Sequence, residues 1–242
     1  MFIHIPKCAG TTARWIMDRQ YPTKTEVYKV KSDIVGDKKK FDLLPADKKR
    51  LLAAVFGHYC YGMHASLNKG QKFSYVTILR DPVQRVLSLY SYVKISQKGH
   101  YLGPVAGKMS PVEFVTSGVT CTTDNAMVRQ LCGVDHFTMR DGKQEPWRDM
   151  EIPFGGVTAE HLKLAKDNLR TFGCVGISDE FDTFLGCMRK TFGWRIPVYR
   201  NQNVSRYKPE VSSSDIDKIR KSNILDYELY DFARTLALGE QK

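Results

Sequence analysis

Residues 73–79, Phe-Ser-Tyr-Val-Thr-Ile-Leu, constrain the fold of this chain more than any other segment. The run is β-branched and aromatic, fit for the core of a sheet. It passes through Arg80 straight into Asp81-Pro82, a helix N-cap followed by a first-turn proline. Beyond them Val83, Val86, Leu87, Tyr90 and Val93 recur at helical spacing. A buried strand that feeds directly into a helix is the unit from which parallel sheets with helices on both faces are built.

The remainder of the chain repeats that alternation. Phe2-Ile3-His4-Ile5 is a short apolar strand, Pro6 to Gly10 a tight turn, and Thr11-Thr12 open a helix to about Gln20. Residues 21–37 are polar and turn-rich, with a short strand at 26–30. Asp47 to Ala54 read as a helix and 53–57 as a strand ending at His58. After the helix from Pro82, residues 97–110 form a Gly-rich loop, and helices follow at 111–117 and 122–132. Residues 134–156 lack apolar periodicity and read as a surface excursion. A helix from Thr158 to about Thr171, a strand at 173–177, a helix from Phe181 to Phe192, a polar loop at 200–213 and a mostly helical 215–237 complete the pattern. No repeat or low-complexity linker divides it. The expectation is one α/β domain over 1–242, a P-loop-like three-layer fold with a central parallel sheet flanked by helices.

The chain of 242 residues is 42% hydrophobic and 26% charged, a globular composition long enough to bury a core. Its formal net charge of +11 speaks to anionic partners rather than to fold. The lysine runs at Lys38 to Lys40 and Lys48 to Arg50 are not interleaved with aromatics, as a single-strand nucleic-acid binder requires, so no nucleic-acid partner is expected. The six cysteines show neither C-x-x-C nor zinc spacing, and their apolar contexts, such as Cys174 and Cys187, read as buried free thiols. With no signal-peptide pattern before Phe2 and no bilayer-length apolar run, the expectation is a cytoplasmic protein without a membrane span, or a lumenal one cut from an anchor. No carboxylate cluster is placed to hold a metal, and none is expected. Oligomeric state is not legible.

Two junctions carry the chemistry. The segment Ile5-Pro6-Lys7-Cys8-Ala9-Gly10-Thr11-Thr12 is strand, loop and helix start. Small residues at Ala9 and Gly10 let backbone amides approach an anion, the helix start offers unpaired N–H groups, and Lys7, Thr11 and Thr12 add a cation and two hydroxyls. The order differs from G-x-x-x-x-G-K-[ST], because Lys7 precedes Gly10. At the second junction Arg80 ends the strand, and Ser88 lies eight positions on, about two turns down the helix. An arginine fork suits phosphate oxygens. Both junctions fall at the carboxyl ends of strands, where open α/β sheets bind ligands. Taken alone, either could be an ordinary turn, ion pair or helical serine. His58 closes the strand at 53–57 and is placed to take a proton from a hydroxyl. Ordinary structural roles are expected for His4, His64, His100, His136 and His161, and a core position for Trp194.

PKCAGTT after a first strand, followed by LRDPVQRVLSLYSY, resembles the donor-binding pair of the sulfotransferase superfamily, in the version of the heparan sulfate 2-O- and 6-O-sulfotransferases and their bacterial relatives. The resemblance covers residues 2–15, 56–64, 76–92, 124–132 and 173–185. It implies 3′-phosphoadenosine 5′-phosphosulfate as donor co-substrate. Lys7 then contacts the oxygen bridging phosphorus and sulfur, Gly10, Thr11 and Thr12 cradle the 5′-phosphate with Ala9, and Arg80 and Ser88 hold the 3′-phosphate. Cys8 stands where the family often has threonine, leaving only its backbone N–H to contribute. His58 matches the family's catalytic base. Asn125 and Arg129, four apart in an N-x-x-x-R-Q stretch, match residues near the family's active site and are candidates for substrate binding, with Arg129 meeting an acidic acceptor, a donor phosphate or an ordinary ion-pair partner. Asn201, Asn203, Ser205, Arg206 and Lys208 match a loop that closes on the nucleotide in relatives. The implied activity is sulfuryl transfer to an acceptor hydroxyl, with basic charge leaning toward a glycan. A P-loop-like kinase using ATP and a non-catalytic binder of an anionic polymer are the rival readings.

Overall fold

A computed structural model describes residues 1–21, 23, 26–31, 33–96, 99–138, 150–195, 199 and 209–239. Its elements in chain order are β1 (Phe2–Ile3), α1 (Gly10–Gln20), β2 (Val27–Val30), α2 (Ile34–Asp42), α3 (Ala46–Arg50), β3 (Ala54–Gly57), β4 (Val76–Leu79), α4 (Pro82–Ile95), α5 (Gly103–Ala106), α6 (Pro111–Thr116), α7 (Ala126–Cys132), α8 (Ala159–Leu169), β5 (Cys174–Ile177), α9 (Phe181–Phe192), α10 (Ser213–Ser222) and α11 (Ile224–Gly239). The five strands form one all-parallel sheet in the order β2-β3-β1-β4-β5, flanked by helices, consistent with the P-loop-like sulfotransferase fold.

β1 sits at the centre and is short. Phe2 and Ile3 pair with Phe56 and Gly57 on one side and with Val76 and Thr77 on the other. Two side contacts extend its hold: the His4 N–H donates to the Gly57 carbonyl at 2.8 Å, and the buried Thr77 hydroxyl donates to the Ile3 carbonyl at 2.9 Å. Gly57 has φ 155°, and a Cβ there would lie 2.2 Å from the Val30 carbonyl oxygen, so only glycine lets β3 lie this close to β2.

The junction after β4 forms as its sequence dictates. The Asp81 carboxylate accepts from the Gln84 N–H at 2.8 Å, and Pro82 fills the first turn of α4. Elsewhere the structure departs from the pattern. Residues 34–42, of which 34–37 fall in the polar stretch, form α2, capped by Asp33. Its buried face is only Ile34 and Phe41, too sparse to show a period. The helix at 47–54 stops at Arg50. The long helix at 215–237 is two, broken at the buried Asn223, whose side-chain oxygen accepts from the Asn125 N–H at 3.0 Å. Cys174 and Cys187 are not free thiols: they form a disulfide joining the start of β5 to α9, while Cys8, Cys60, Cys121 and Cys132 are free and buried. Trp194 is buried, its indole N–H donating to the Tyr21 hydroxyl. Among the described residues no helix is long and apolar enough to cross a membrane.

The surface excursion is anchored by charge. Arg129 on α7 is fully buried, paired with Asp124 and with Asp135 at 2.8 Å, and it donates to the carbonyls of Ile152 and Pro153 at 2.7 and 2.9 Å. Asp135 and Asp124 in turn accept from the N–H groups of Ile152 and Gly155. Residues 139–149 lie outside the described residues. Removing one member of a buried, fully bonded ion group strands the others without solvent. Arg129→Leu is expected to lower unfolding free energy by about 3–5 kcal/mol in chemical denaturation; a loss under about 1 kcal/mol would show that the anchor is not needed.

Candidate functional site

From the central β1 the chain crosses to β2 on one side of the sheet, and from β4 it moves to β5 on the other. The carboxyl ends of β1 and β4 therefore face a switch-point crevice. A cavity of about 1030 Å³ opens there, lined by the loops after β1, β3 and β4 and by one face of α4.

The structure brings most of the expected site residues into this one cavity: Lys7, Ala9, Gly10, Thr11, Thr12, His58, Arg80 and Ser88 all line it. The two junctions touch, because Arg80 Nη1 donates to the Lys7 carbonyl at 3.2 Å. Lys7 and Ala9 are both left-handed, with φ 69° and 54°. Non-glycine residues adopt that conformation at a cost of roughly 1–3 kcal/mol each, so the fold holds this curl in place. Ala9 is the N-cap of α1, yet no side chain caps the helix and its first turn carries no acid. The positive end of α1 is thus presented to the cavity. Gly10 is required for another reason: a Cβ there would lie 1.8 Å from the His4 ring.

Cys8 does not contribute as expected. Its thiol points into the core, where burial pushes it up to about 12, and its N–H is donated to the Ile5 carbonyl at 3.3 Å. Asn125 and Arg129 do not line the cavity. Asn125 is a buried left-handed N-cap whose side-chain oxygen accepts from the Asp226 N–H, and Arg129 is committed to its two aspartates. The late-loop residues Asn201, Asn203, Ser205, Arg206 and Lys208 lie outside the described residues.

The cavity wall is cationic. Among the described residues Lys7, Arg14, Lys29, Lys31 and Arg80 line it against a single carboxylate, Asp179, and Lys29 is tied to Asp18 at 2.7 Å. Burial, reinforced by the charge of Arg80, lowers Lys7 to about 8. Arg80 Nε is buried with no hydrogen-bond partner among the described residues. Two cations held together, one with a stranded donor, make a site that an anion completes.

His58 Nδ1 lies 2.8 Å from the His4 carbonyl, which can only accept. The proton is therefore on Nδ1, and Nε2 carries the lone pair. The two rings stack at 4.2 Å between centroids. Burial lowers His58 to about 4, with Arg14 and Lys7 acting in the same sense against the His4 hydrogen bond, and His4 is lowered too, by burial and then by His58, Arg14 and Lys7. Both rings are neutral at pH 7. His4 was not expected in the site, and neither were His100, Tyr92 and Gln84, which also line the cavity. Gln84, Ser88 and Tyr92 fall four apart along α4, a spacing that the sequence already displayed.

The fold and this crevice define an α/β protein with a cationic cavity at the switch point of a parallel sheet. No model of a known protein family matches the chain. It is 27% identical over 216 residues to heparan-sulfate 6-O-sulfotransferase 1 of Homo sapiens, a match covering 80% of this chain and 50% of that protein. The chain thus spans about half the length of the curated relative it matches. This distant homology supports membership of the sulfotransferase superfamily.

The lowered histidines set an acid limit on stability. In the unfolded chain a histidine gains its proton near pH 6.5, while folded His58 resists until about pH 4. The stability contributed by its neutral form is present above pH 6.5 and is lost as pH falls through that window, at most about 3 kcal/mol for His58. Chemical denaturation between pH 7 and pH 4 should show this loss, reduced in His58→Asn; an equal loss in the variant would contradict the assignment.

Proposed function

We propose that the chain transfers a sulfuryl group from 3′-phosphoadenosine 5′-phosphosulfate to a hydroxyl of a glycan. The observation that carries this is the convergence of the α1 N-terminus, the Arg80–Ser88 ridge and His58 on one cavity. The residues present fit such a nucleotide, with an uncapped helix start for one phosphate and, lining the same cavity, Arg80 and Ser88 for the other. The donor supplies a sulfuryl group already activated by its bond to phosphate. On this reading the N–H groups at Gly10, Thr11 and Thr12 hold the 5′-phosphate, and Arg80 and Ser88 hold the 3′-phosphate. Lys7 places a positive charge where the leaving phosphate gains negative charge. His58 Nε2 takes the proton of the acceptor hydroxyl, its tautomer fixed by the His4 carbonyl. A base lowered to about 4 is weak on its own, but an anionic ligand beside it raises its basicity. The glycan acceptor rests on the cationic wall and on the name of the relative.

Calorimetry with 3′-phosphoadenosine 5′-phosphate and with ATP tests the donor. The first should bind more tightly, and Arg80→Ala should weaken it by about ten- to a hundredfold, the value of charge-assisted hydrogen bonds. His58→Asn, which keeps a donor for the His4 carbonyl, should bind the nucleotide normally and lose about 10²–10⁴ in kcat. Equal affinity for both nucleotides would argue for a kinase-like site. Undiminished glycan binding with no turnover in the wild-type protein would favour the anionic-polymer binder.

A further inference from the structure

We infer that Tyr92 is a positioning residue for Lys7, holding its ammonium charged and extended across the cavity. The inference rests on the role given to Lys7 above. Lys7 Nζ lies 4.3 Å from the centroid of the Tyr92 ring. Lys7 stands on the loop after β1 and Tyr92 on the third turn of α4, so the contact bridges the two junctions that form the site. The ring is itself held from behind. His100 meets it edge-on, with centroids 5.7 Å apart at 83°, and stacks on Tyr101 at 4.9 Å. His100 is fixed in turn, because its Nδ1 accepts from the Leu102 N–H at 3.2 Å.

Two physical consequences follow. A lysine side chain has about 2 kcal/mol of rotamer entropy to lose when it is ordered, and a ring beneath its ammonium orders it before any ligand arrives. The ring's negative face also favours the charged form of the amine. That support is needed here, since the surroundings of Lys7 push the other way. Burial and the Arg80 guanidinium lower its basicity. His4, His58 and His100 also interact with Lys7; they are neutral and add no compensating negative charge. Of the groups facing Lys7, Tyr92 is the one whose π-face favours a cation. Tyr92 is 47% exposed, so its replacement leaves the α4 core contacts in place.

The test reads Lys7 directly in the full chain without nucleotide, by NMR titration of the isotopically labelled, reductively methylated amine, with Lys7→Arg used to assign the signal. Tyr92→Leu should shift the Lys7 midpoint down by roughly half a unit to one unit, as loss of a partly exposed cation–π contact implies. Tyr92→Phe, which keeps the π-face, should retain the wild-type midpoint. In turnover assays Tyr92→Leu should lower kcat more than it raises KM for the nucleotide, and should move the alkaline limb of kcat to lower pH by the same interval. An unchanged midpoint in Tyr92→Leu, or an equal shift in Tyr92→Phe, overturns the inference. Lys7→Ala separates this from the underlying reading. If Lys7→Ala retains full turnover, the role of Lys7 itself is wrong; if it loses turnover while Tyr92→Leu leaves the midpoint and kcat unchanged, only the role of Tyr92 is.

Discussion

β1 pairs through two residues, and the site depends on where it ends. Because Phe2 and Ile3 are clasped between β3 and β4, the chain leaves the sheet at its centre. His4 continues the pairing to Gly57, and its ring then fills the space that a side chain on residue 10 would occupy. That one packing contact joins the start of α1, the end of β3 and the ring of His58 into a single wall. A longer β1 would move the Lys7 loop away from Arg80, and a larger residue 10 would displace both histidines.

The electrostatics of this wall are of one kind. Lys7, His4 and His58 are all shifted toward their neutral forms, with burial the largest cause each time. Cations that are costly to keep beside one another are stabilised by an anion, and the neutral histidine beside them becomes a better base when that anion is present. Binding and base strength are therefore coupled through the same few ångströms of protein. The buried charge of Arg129 is paired with both Asp124 and Asp135, and the group anchors the chain around α7. The contrast between a closed ionic group and an open one separates the structural arginine from those lining the cavity.

Much of this was legible in the sequence where local chemistry decides the structure. The strand before Arg80, the Asp81-Pro82 helix start and the small-residue turn at Ala9-Gly10 each announce themselves within a few residues. The parallel sheet follows from their alternation. What was not legible depends on pairs far apart in the chain. The sequence left Arg129 open between a substrate contact and an ion pair because its partners, Asp135 and the carbonyls of Ile152 and Pro153, lie beyond its own helix. Cys174 and Cys187 looked like buried thiols because nothing in their apolar contexts reveals that a strand and the next helix bring them together. His4 looked ordinary because its effect acts through Gly10 and His58, one six residues away and the other on a neighbouring strand. Cys8 was expected to offer its N–H, which the tight turn instead gives back to Ile5.

The central claim is that one doubly phosphorylated nucleotide joins the two junctions. A crystal structure with 3′-phosphoadenosine 5′-phosphate tests it most directly. The account requires the 5′-phosphate within hydrogen-bonding distance of backbone N–H groups at Gly10 to Thr12, and the 3′-phosphate on the Arg80 fork and the Ser88 hydroxyl. A nucleotide bound with either phosphate outside this cavity, or with Arg80 Nε still without a partner, would contradict it.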